Sequence, residues 1–525
     1  MSRHNIVRAT AIVGILTSIS RVLGLARQML MAYFFGTALA NSAFVLAFRI
    51  PNLFRAMFGE GALSASFIPV FTRNMHNKGL EDSWQLANKV FSLLTAVLSA
   101  IILIVIVGIQ LYRLLIPMDE KTALVLPLMQ IMFPYMLFIC LAALSMAILN
   151  SLKRFTAPAI SPILLNVIWI AALLFLCPFF KDSMNKGIYI VAITVTFAGI
   201  AQFLVQYPEL RRQGFRLKLT ADWRDDRVKD MLKMMIPVAF SSGVVLVNIT
   251  ISSILAMRIA DWGPAAVYYA DVLVYLPLGM IATALSTVMF PEFSKMAAAS
   301  DIAGIRTNLN RSIRVIFFIM IPASAGMTAL CEPLVRFLYE YGRFTPESTC
   351  HTVSYMIFYA PGLVVFSLYR ILPPVFYSLK DTKTPFIASV TAVAVNLILN
   401  IIFITVLPRH LKLPGLAVSS IIASIINCIM LGLSARKMIG DIGWPGLVSY
   451  AVKPLLASAI MVLAALYAEH NSFLLLNEIG MHHKLQQGLS LSAGILAGIV
   501  SYGIIGTLFF KKEVQLLLES RRKPA

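Results

Sequence analysis

Residues 48–73 read FRIPNLFRAMFGEGALSASFIPVFTR, a run apolar enough to leave water that nevertheless carries Arg49, Arg55 and Glu60. Pro51 lies between the two arginines, and Gly59 and Gly61 bracket the acid. Proline removes a backbone hydrogen bond from a helix, so this segment is expected to be kinked or locally unwound near Glu60. Within a membrane such a break is tolerated where it lines a cavity, not where it meets lipid.

The rest of the chain places this stretch in a bilayer. Of 525 residues, 59% are hydrophobic and 13% charged, with a mean hydropathy of +0.82. A soluble fold of this size cannot hide so much apolar surface, whereas runs of about 20 apolar residues are what a bilayer core accepts as helices. Fourteen such runs can be read, near 9–35, 41–70, 88–112, 123–149, 158–180, 187–207, 231–257, 265–291, 311–331, 351–378, 385–407, 413–434, 446–468 and 487–510. The net charge of +20 is concentrated in alternate loops, above all in 208–230 and in the tail from Lys511. That alternation, with Arg3 and Arg8 at the start, places both termini in the cytoplasm. The basic 208–230 loop also has some attraction for anionic lipid. The first run passes Ser18 into Arg21 without a small-residue cleavage site, so it reads as an uncleaved anchor.

The opening stretch has an echo. ALSASFIPVFTR at 62–73 returns as ALSTVMFPEFSK at 284–295, 222 residues later. Pro134 stands 17 residues before SLKRFTAP (151–158), and Pro361 stands 17 before SLKDTKTP (378–385), an offset of 227. Two patterns in the same order at nearly the same spacing make spans 1–6 and 7–12 duplicated halves. Each half has an even number of spans, so the halves run parallel through the membrane, and spans 13 and 14 are an addition. The expected fold is therefore an all-α polytopic membrane protein of about 14 helices. Its expected parts are an N-lobe over 1–220, a C-lobe over 221–445, and a third module over 446–525.

The intramembrane charges point to the site. Arg21 and Arg27 lie in the first span, Arg49, Arg55 and Glu60 in the second, Asp271 in the eighth and Arg370 in the tenth. Each arginine at a bilayer centre costs about 2.5–3.5 kcal/mol, so four in two adjacent spans would cost on the order of 10 kcal/mol if they faced lipid. Some can snorkel, or lock helices through pairs such as Arg55 with Glu60. The cations still outnumber the acids, and the repeat offset sets Arg49 against Asp271. The expected arrangement is a cationic cavity whose arginine forks suit phosphate oxygens.

Other chemistry is not indicated. The seven histidines lie near ends and loops, and the five cysteines have no metal-ligand spacing and read as small buried hydrophobes. Cys331 and Cys350 flank one loop without any pattern that requires a disulfide. No phosphate-cradling glycine loop, nucleophile triad or HExxH-type site is present, and no nucleic-acid partner is expected.

At SRVLGLARQ, AFRIPNLFRAMFGEGALSASFIPVF, YYAD and YGRFTPES the chain resembles the MurJ/MviN family of lipid II flippases, within the multidrug/oligosaccharidyl-lipid/polysaccharide exporter superfamily. The likeness runs along almost the whole chain. It implies fourteen helices, two six-helix lobes, and helices 13 and 14 forming a hydrophobic groove continuous with the cavity. It also implies that Ser20, Arg21 and Arg27 are first-helix cavity residues, Arg55 and Glu60 second-helix ones and Asp271 the eighth-helix acid, with the substrate diphosphate against these arginines; Arg49, Asn52 and Arg370 complete the expected substrate-binding set. The chain departs from the pattern in three places. Gln28 stands where an acid often follows the arginine, Ser42 replaces an acid, and Val272 stands where an arginine usually follows YYAD. Arg49, Arg258 or Arg370 is the candidate for the compensating cation.

The resulting expectation is a transporter, not an enzyme. It would flip the undecaprenyl-diphosphate-linked peptidoglycan precursor from the cytoplasmic to the outer leaflet of the inner membrane, by alternating access aided by the membrane potential. Membrane lipids and cell-wall synthases are the expected partners. No cofactor is expected, and a metal or coupling ion is left open. Rival readings are an exporter of another polyprenyl-linked glycan or of drugs, a membrane-embedded polyprenyl-phosphate enzyme, and a non-transporting scaffold.

Overall fold

A computed structural model describes residues 3–55, 57, 63–180 and 182–509. The described chain is helical throughout and divides into two compact units, Met1–Met257 with Tyr341–Phe344, and Arg258–Glu340 with Thr345–Ala525. Eleven helices among the described residues are long and apolar enough to cross a membrane. With Arg3–Phe35, Leu39–Phe54 and Asp226–Ile259 beside these, the described helices are roughly consistent with the expected fourteen spans. The long helix Leu63–Leu115 is two spans joined at Gly79, whose φ of +86° is open to glycine but strained for other residues.

The first unit begins with helix Arg3–Phe35, which stops at Gly36. Gly36 has φ +54°, and a Cβ there would lie 2.3 Å from the Arg343 carbonyl oxygen, so glycine is required. The Tyr341–Phe344 turn seats on this helix end, with the Arg343 N–H donating to the Tyr33 carbonyl at 2.9 Å. The second span runs as Leu39–Phe54, continues through Pro51, and passes into π geometry at Arg55 and Met57; the next described helix is Leu63–Leu115. Glu60, Gly59 and Gly61 lie outside the described residues. Helix Glu120–Met132 breaks at Phe133–Pro134 and continues as Tyr135–Ser151. Thr156–Ala171, Met184–Leu204 and Asp226–Ile259 follow.

In the second unit, Gly263–Pro277 passes through a π turn at Leu278–Ala282 into Thr283–Ala298. Ile302–Ala329 leads to a short amphipathic helix, Cys331–Tyr339. Pro346–Tyr359 breaks at Ala360–Gly362 and resumes as Leu363–Ser378. Lys383–Val406, Arg409–Ile439, Trp444–Glu478 and His483–Phe509 complete the unit. None of the five cysteines is in a disulfide.

The duplication is visible in the backbone. The π turn at Arg55 and Met57 recurs at Leu278–Ala282, and the break at Pro134 recurs at Pro361. Lys153 and Lys380 occupy matching positions in SLKR and SLKD, with φ of 60° and 62°. Both close the preceding helix with the same bond, Arg154 N–H to the Leu149 carbonyl at 2.8 Å and Asp381 N–H to the Phe376 carbonyl at 2.9 Å. This is the six-to-one bond of a left-handed helix stop. Asn88 and Asn310, 222 residues apart, both anchor the linker that leaves their half. Asn88 donates to the Arg216 carbonyl at 3.0 Å, and Asn310 to the Ile442 carbonyl at 2.7 Å.

Helix contacts in a bilayer depend on small residues and satisfied polar groups, since lipid offers no hydrophobic drive between helices. In the first unit Gly199 lets its helix approach Tyr135, where a Cβ would fall 2.6 Å from the ring. In the second, Asn396, Asn400 and Ser419, each at most 1% exposed, bond one another between adjacent helices. Outside the spans, the 213–225 linker is strapped to the first unit by Arg227. Its guanidinium bonds Asp225 (3.0 and 2.7 Å), Asn74 (2.8 Å) and Asp82. Lys89 adds contacts to Asp222 (2.8 Å) and Asp225 (3.3 Å).

Two outcomes follow from this packing. Gly199→Ala is expected to lower stability by about 1–3 kcal/mol through overpacking against Tyr135, seen as a lower thermal midpoint. Gly108→Ala, where nothing lies within 4 Å, is expected to leave the midpoint unchanged or raise it. The Arg227 guanidinium holds the Asp225 carboxyl well below the usual carboxylate range. The stability this carboxylate contributes is therefore fully present above its ordinary pKa, near 4, and is lost as pH falls toward its lowered folded value. Asp225→Asn is expected to lower the thermal midpoint at neutral pH and to flatten its decline on acidification.

Candidate functional site

Ser20, Arg27 and Met31 recur at helical spacing along one face of the first helix, and that face meets the helix Thr156–Ala171. Asn166 and Trp169, one turn apart on the latter helix, make the contacts. The Asn166 amide donates to the Ser20 carbonyl at 3.0 Å and to the Ser20 hydroxyl at 3.3 Å. The Arg27 guanidinium carbon stands 4.3 Å from the centroid of the Trp169 ring. Trp169 is 2% exposed, and its Nε1–H donates to the Met31 sulfur at 3.4 Å. Phe44 and Phe48 of the second span meet it edge to face, with centroids 5.4 and 5.7 Å away. Arg21 falls off this face and is exposed.

The second span contributes Arg49 and Arg55, both half-buried. Arg55 sits at the π turn, and its Nε–H donates to Asn52 Oδ1 at 2.7 Å, three residues back on the same helix face. The structure thus joins two of the residues expected from sequence. The partnership of Arg55 with Glu60 lies outside the described residues. Met57, just past Arg55, packs on the seventh span at Gly243, where a Cβ would lie 2.9 Å from its methyl carbon.

The remaining expected residues belong to the second unit. Asp271 is half-buried in Gly263–Pro277, one turn before Tyr275, whose hydroxyl lies 3.3 Å from that of Tyr359. Arg370 is exposed, and its carbonyl accepts from the Ser286 hydroxyl at 2.8 Å. Arg258 is exposed in the last turn of Asp226–Ile259, at a span end and not at its middle. Gln28 and Ser42 are both buried. Among the described residues no group of three histidine, cysteine or acidic side chains could hold a metal.

The second unit also contains an apolar groove of about 830 Å³. Pro277, Phe318, Met461, Leu491, Tyr502 and Gly503 are among its lining residues. It follows the last helix from Leu491 to Thr507, which at 1.5 Å per residue is about 24 Å. Leu334 and Leu338 line it from the amphipathic helix Cys331–Tyr339.

A family model described as lipid II flippase MurJ matches residues 31–483. The chain belongs to the lipid II flippase MurJ family. It is 32% identical over 473 residues to a probable lipid II flippase MurJ of Rhizobium tropici, covering 89% of this chain and 87% of that protein. It is 30% identical over 518 residues to the lipid II flippase MurJ of Burkholderia cenocepacia, covering 97% and 98%. A solved MurJ in an inward closed conformation superposes with a TM-score of 0.76 at 26% identity, over 96% of this chain and 99% of that one. An inward-facing multidrug transporter of the MATE family shares the fold, with a TM-score of 0.65 at 16% identity over 82% and 98%. The chain is accordingly a polytopic membrane transporter and not an enzyme.

Trp169, Asn166, Tyr275 and Tyr359 were not singled out by sequence. A polar Asn inside the apolar run SPILLNVIWIAA is the one signal that pointed at the first pair. The placements can be checked by accessibility. Cys350 is exposed and the other four cysteines are buried, so a Cys350→Ser background is quiet toward thiol reagents. In that background Arg258→Cys is expected to react rapidly with a hydrophilic maleimide, while Gln28→Cys, at a position 4% exposed, is expected to resist.

Proposed function

We propose that the chain flips lipid II, the undecaprenyl-diphosphate-linked peptidoglycan precursor, from the cytoplasmic to the outer leaflet of the inner membrane. The observation that carries this reading is the MurJ family match over 31–483. Two features of the chain agree with it. The first two spans hold Arg27, Arg49 and Arg55, and the second unit holds a long apolar groove.

In this reading the diphosphate is held by the arginines, whose planar forks match phosphate oxygens two at a time. Asn52 fixes the Arg55 guanidinium, so less rotamer freedom is lost when an anion arrives. Glu60, in the same span of sequence as Arg49 and Arg55, is the acid expected to offset part of that charge when the site is empty. The polyprenyl tail lies along the groove, where Gly503 leaves open space. Transport proceeds by alternating access of the cavity. With both termini cytoplasmic and the interior negative, the potential favours outward passage of the anionic head group and inward return of the empty cationic site, by about 2.3 kcal/mol per charge per 100 mV. No covalent step is needed.

The test is reconstitution in liposomes with labelled lipid II under an imposed potential. Wild type is expected to move the lipid across the bilayer. Arg55→Ala is expected to weaken lipid II binding about 10- to 100-fold, the scale of a lost charge-assisted hydrogen bond, and to slow flipping accordingly. Gly503→Leu adds a side chain to open space and is expected to fold normally yet bind the full-length lipid less well than a short-chain analogue. Wild-type protein that moves no lipid II but moves another polyprenyl-linked glycan would overturn the substrate assignment.

A further inference from the structure

We propose that the segment 213–225, which links the sixth and seventh spans, is a docking strip for the anionic headgroups of the surrounding phospholipids; this does not depend on what the cavity carries. By charge alone the whole basic loop attracts anionic lipid. The structure divides its charges into two sets. One set is engaged within the protein, where Arg227 holds Asp82 and Asp225, and Lys89 holds Asp222 and Asp225. Asp222 is the one acid in 211–224, so the only carboxylate of that stretch is already taken. The second set is Arg216, Lys218 and Arg224, which are exposed and form no ion pair among the described residues.

The geometry puts this second set at the depth of the headgroups. Phe215 is fully buried against Trp84 and Phe91, with ring centroids 5.3 and 5.4 Å away. Asn88 then takes two main-chain bonds, donating to the Arg216 carbonyl at 3.0 Å and accepting from the Lys218 N–H at 2.9 Å. Ser92, one turn on, accepts from the Thr220 N–H at 2.9 Å. Asn88 opens the apolar window 88–112 of the third span, and Ser92 lies about 6 Å inside it. The linker backbone is therefore pinned along the edge of the hydrocarbon core, in the headgroup layer that borders it. The side chains left outward suit that layer. Leu219 is 69% exposed and Trp223 40%, and the Trp223 Nε1–H is satisfied by the Thr220 carbonyl at 2.9 Å. In water these would be bare apolar surface. At an interface Trp and Leu rest against acyl chains, while neighbouring Arg and Lys side chains extend to the phosphates.

The experiment uses the purified full-length protein in nanodiscs of phosphatidylcholine and phosphatidylglycerol, with bromine on the acyl chains of one lipid at a time. Bromine quenches a nearby indole, and the difference between wild type and Trp223→Phe isolates Trp223 from the other four tryptophans. Trp223 is expected to select phosphatidylglycerol over phosphatidylcholine about 5- to 30-fold, the scale of one to two basic side chains at an anionic surface. Replacing Arg216, Lys218 and Arg224 together by Gln is expected to bring that ratio near one while both lipids still quench, because Leu219 and Trp223 stay immersed. Raising salt from about 0.1 to about 1 M is expected to lower the ratio in the wild type, a measurement that needs no variant. Equal quenching by the two lipids in the wild type overturns the proposal, since the linker is then interfacial without selecting a headgroup. Quenching by neither overturns it as well, because the strip then lies clear of the bilayer and open to a soluble acidic partner. A ratio that survives the triple variant, or high salt in the wild type, assigns the selection to something other than these three charges and overturns it likewise.

Discussion

Placing a guanidinium at the centre of a bilayer costs about 2.5–3.5 kcal/mol, so each arginine there has to be held by protein or reached by water. In the first unit Arg27 lies on an indole and Arg55 is bonded by Asn52 one turn back. The indole face and the amide oxygen each give a guanidinium a fixed neighbour within the spans. The aromatic cluster of Phe44, Phe48 and Trp169 follows from the same requirement, because a ring can orient a cation only if the ring itself is packed.

The duplicated backbone shows what the charges were added to. The π turn recurs in both halves, once at Arg55 and Met57 and once in LGMIA at 278–282, which carries no charge. The break is therefore a property of the repeat, and the cations belong to one copy only. Irregular backbone at membrane depth has to be shielded from lipid. Here the first-half break packs on Gly243, whose missing side chain gives Met57 its space. The matching spans differ in sign as well, with Arg49 in one and Asp271 at the equivalent position of the other. One scaffold thus carries opposite charges in its two halves.

Much of the fold could be read in the residues, because hydropathy reports burial in lipid directly. The helix ends could not. The apolar window of the ninth span is 311–331, yet the helix runs Ile302–Ala329, since Asp301 caps the Gly304 N–H at 2.8 Å and holds polar turns helical below that window. The window of the thirteenth is 446–468, and its helix continues to Glu478 through polar residues that no apolar window includes. The arginines were legible from their cost, but their fates were not. Arg21 and Arg27 look alike in SRVLGLARQ, and only the helix face that meets Trp169 separates an exposed cation from a held one. Trp169 itself reads as ordinary core in an apolar run, because an aromatic residue carries no mark of what lies over its ring.

The last helix shows the same limit in its glycines. Gly494 serves packing, since a Cβ there would lie 2.9 Å from both the Ala465 carbonyl oxygen and the Glu469 Cβ. Gly503, nine residues on, faces nothing within 4 Å and serves the opposite end, keeping the groove open. Between them Tyr502 donates its hydroxyl to the Phe318 carbonyl at 2.7 Å, so a polar group that would otherwise obstruct an apolar channel is turned aside and satisfied. Close packing near one end and open space near the other, on one helix with one stripe of small residues, leave a channel about 24 Å long, more than half the roughly 30 Å of a bilayer core. An extended alkyl chain of that length fits such a channel along the helix, with apolar side chains on either side of it.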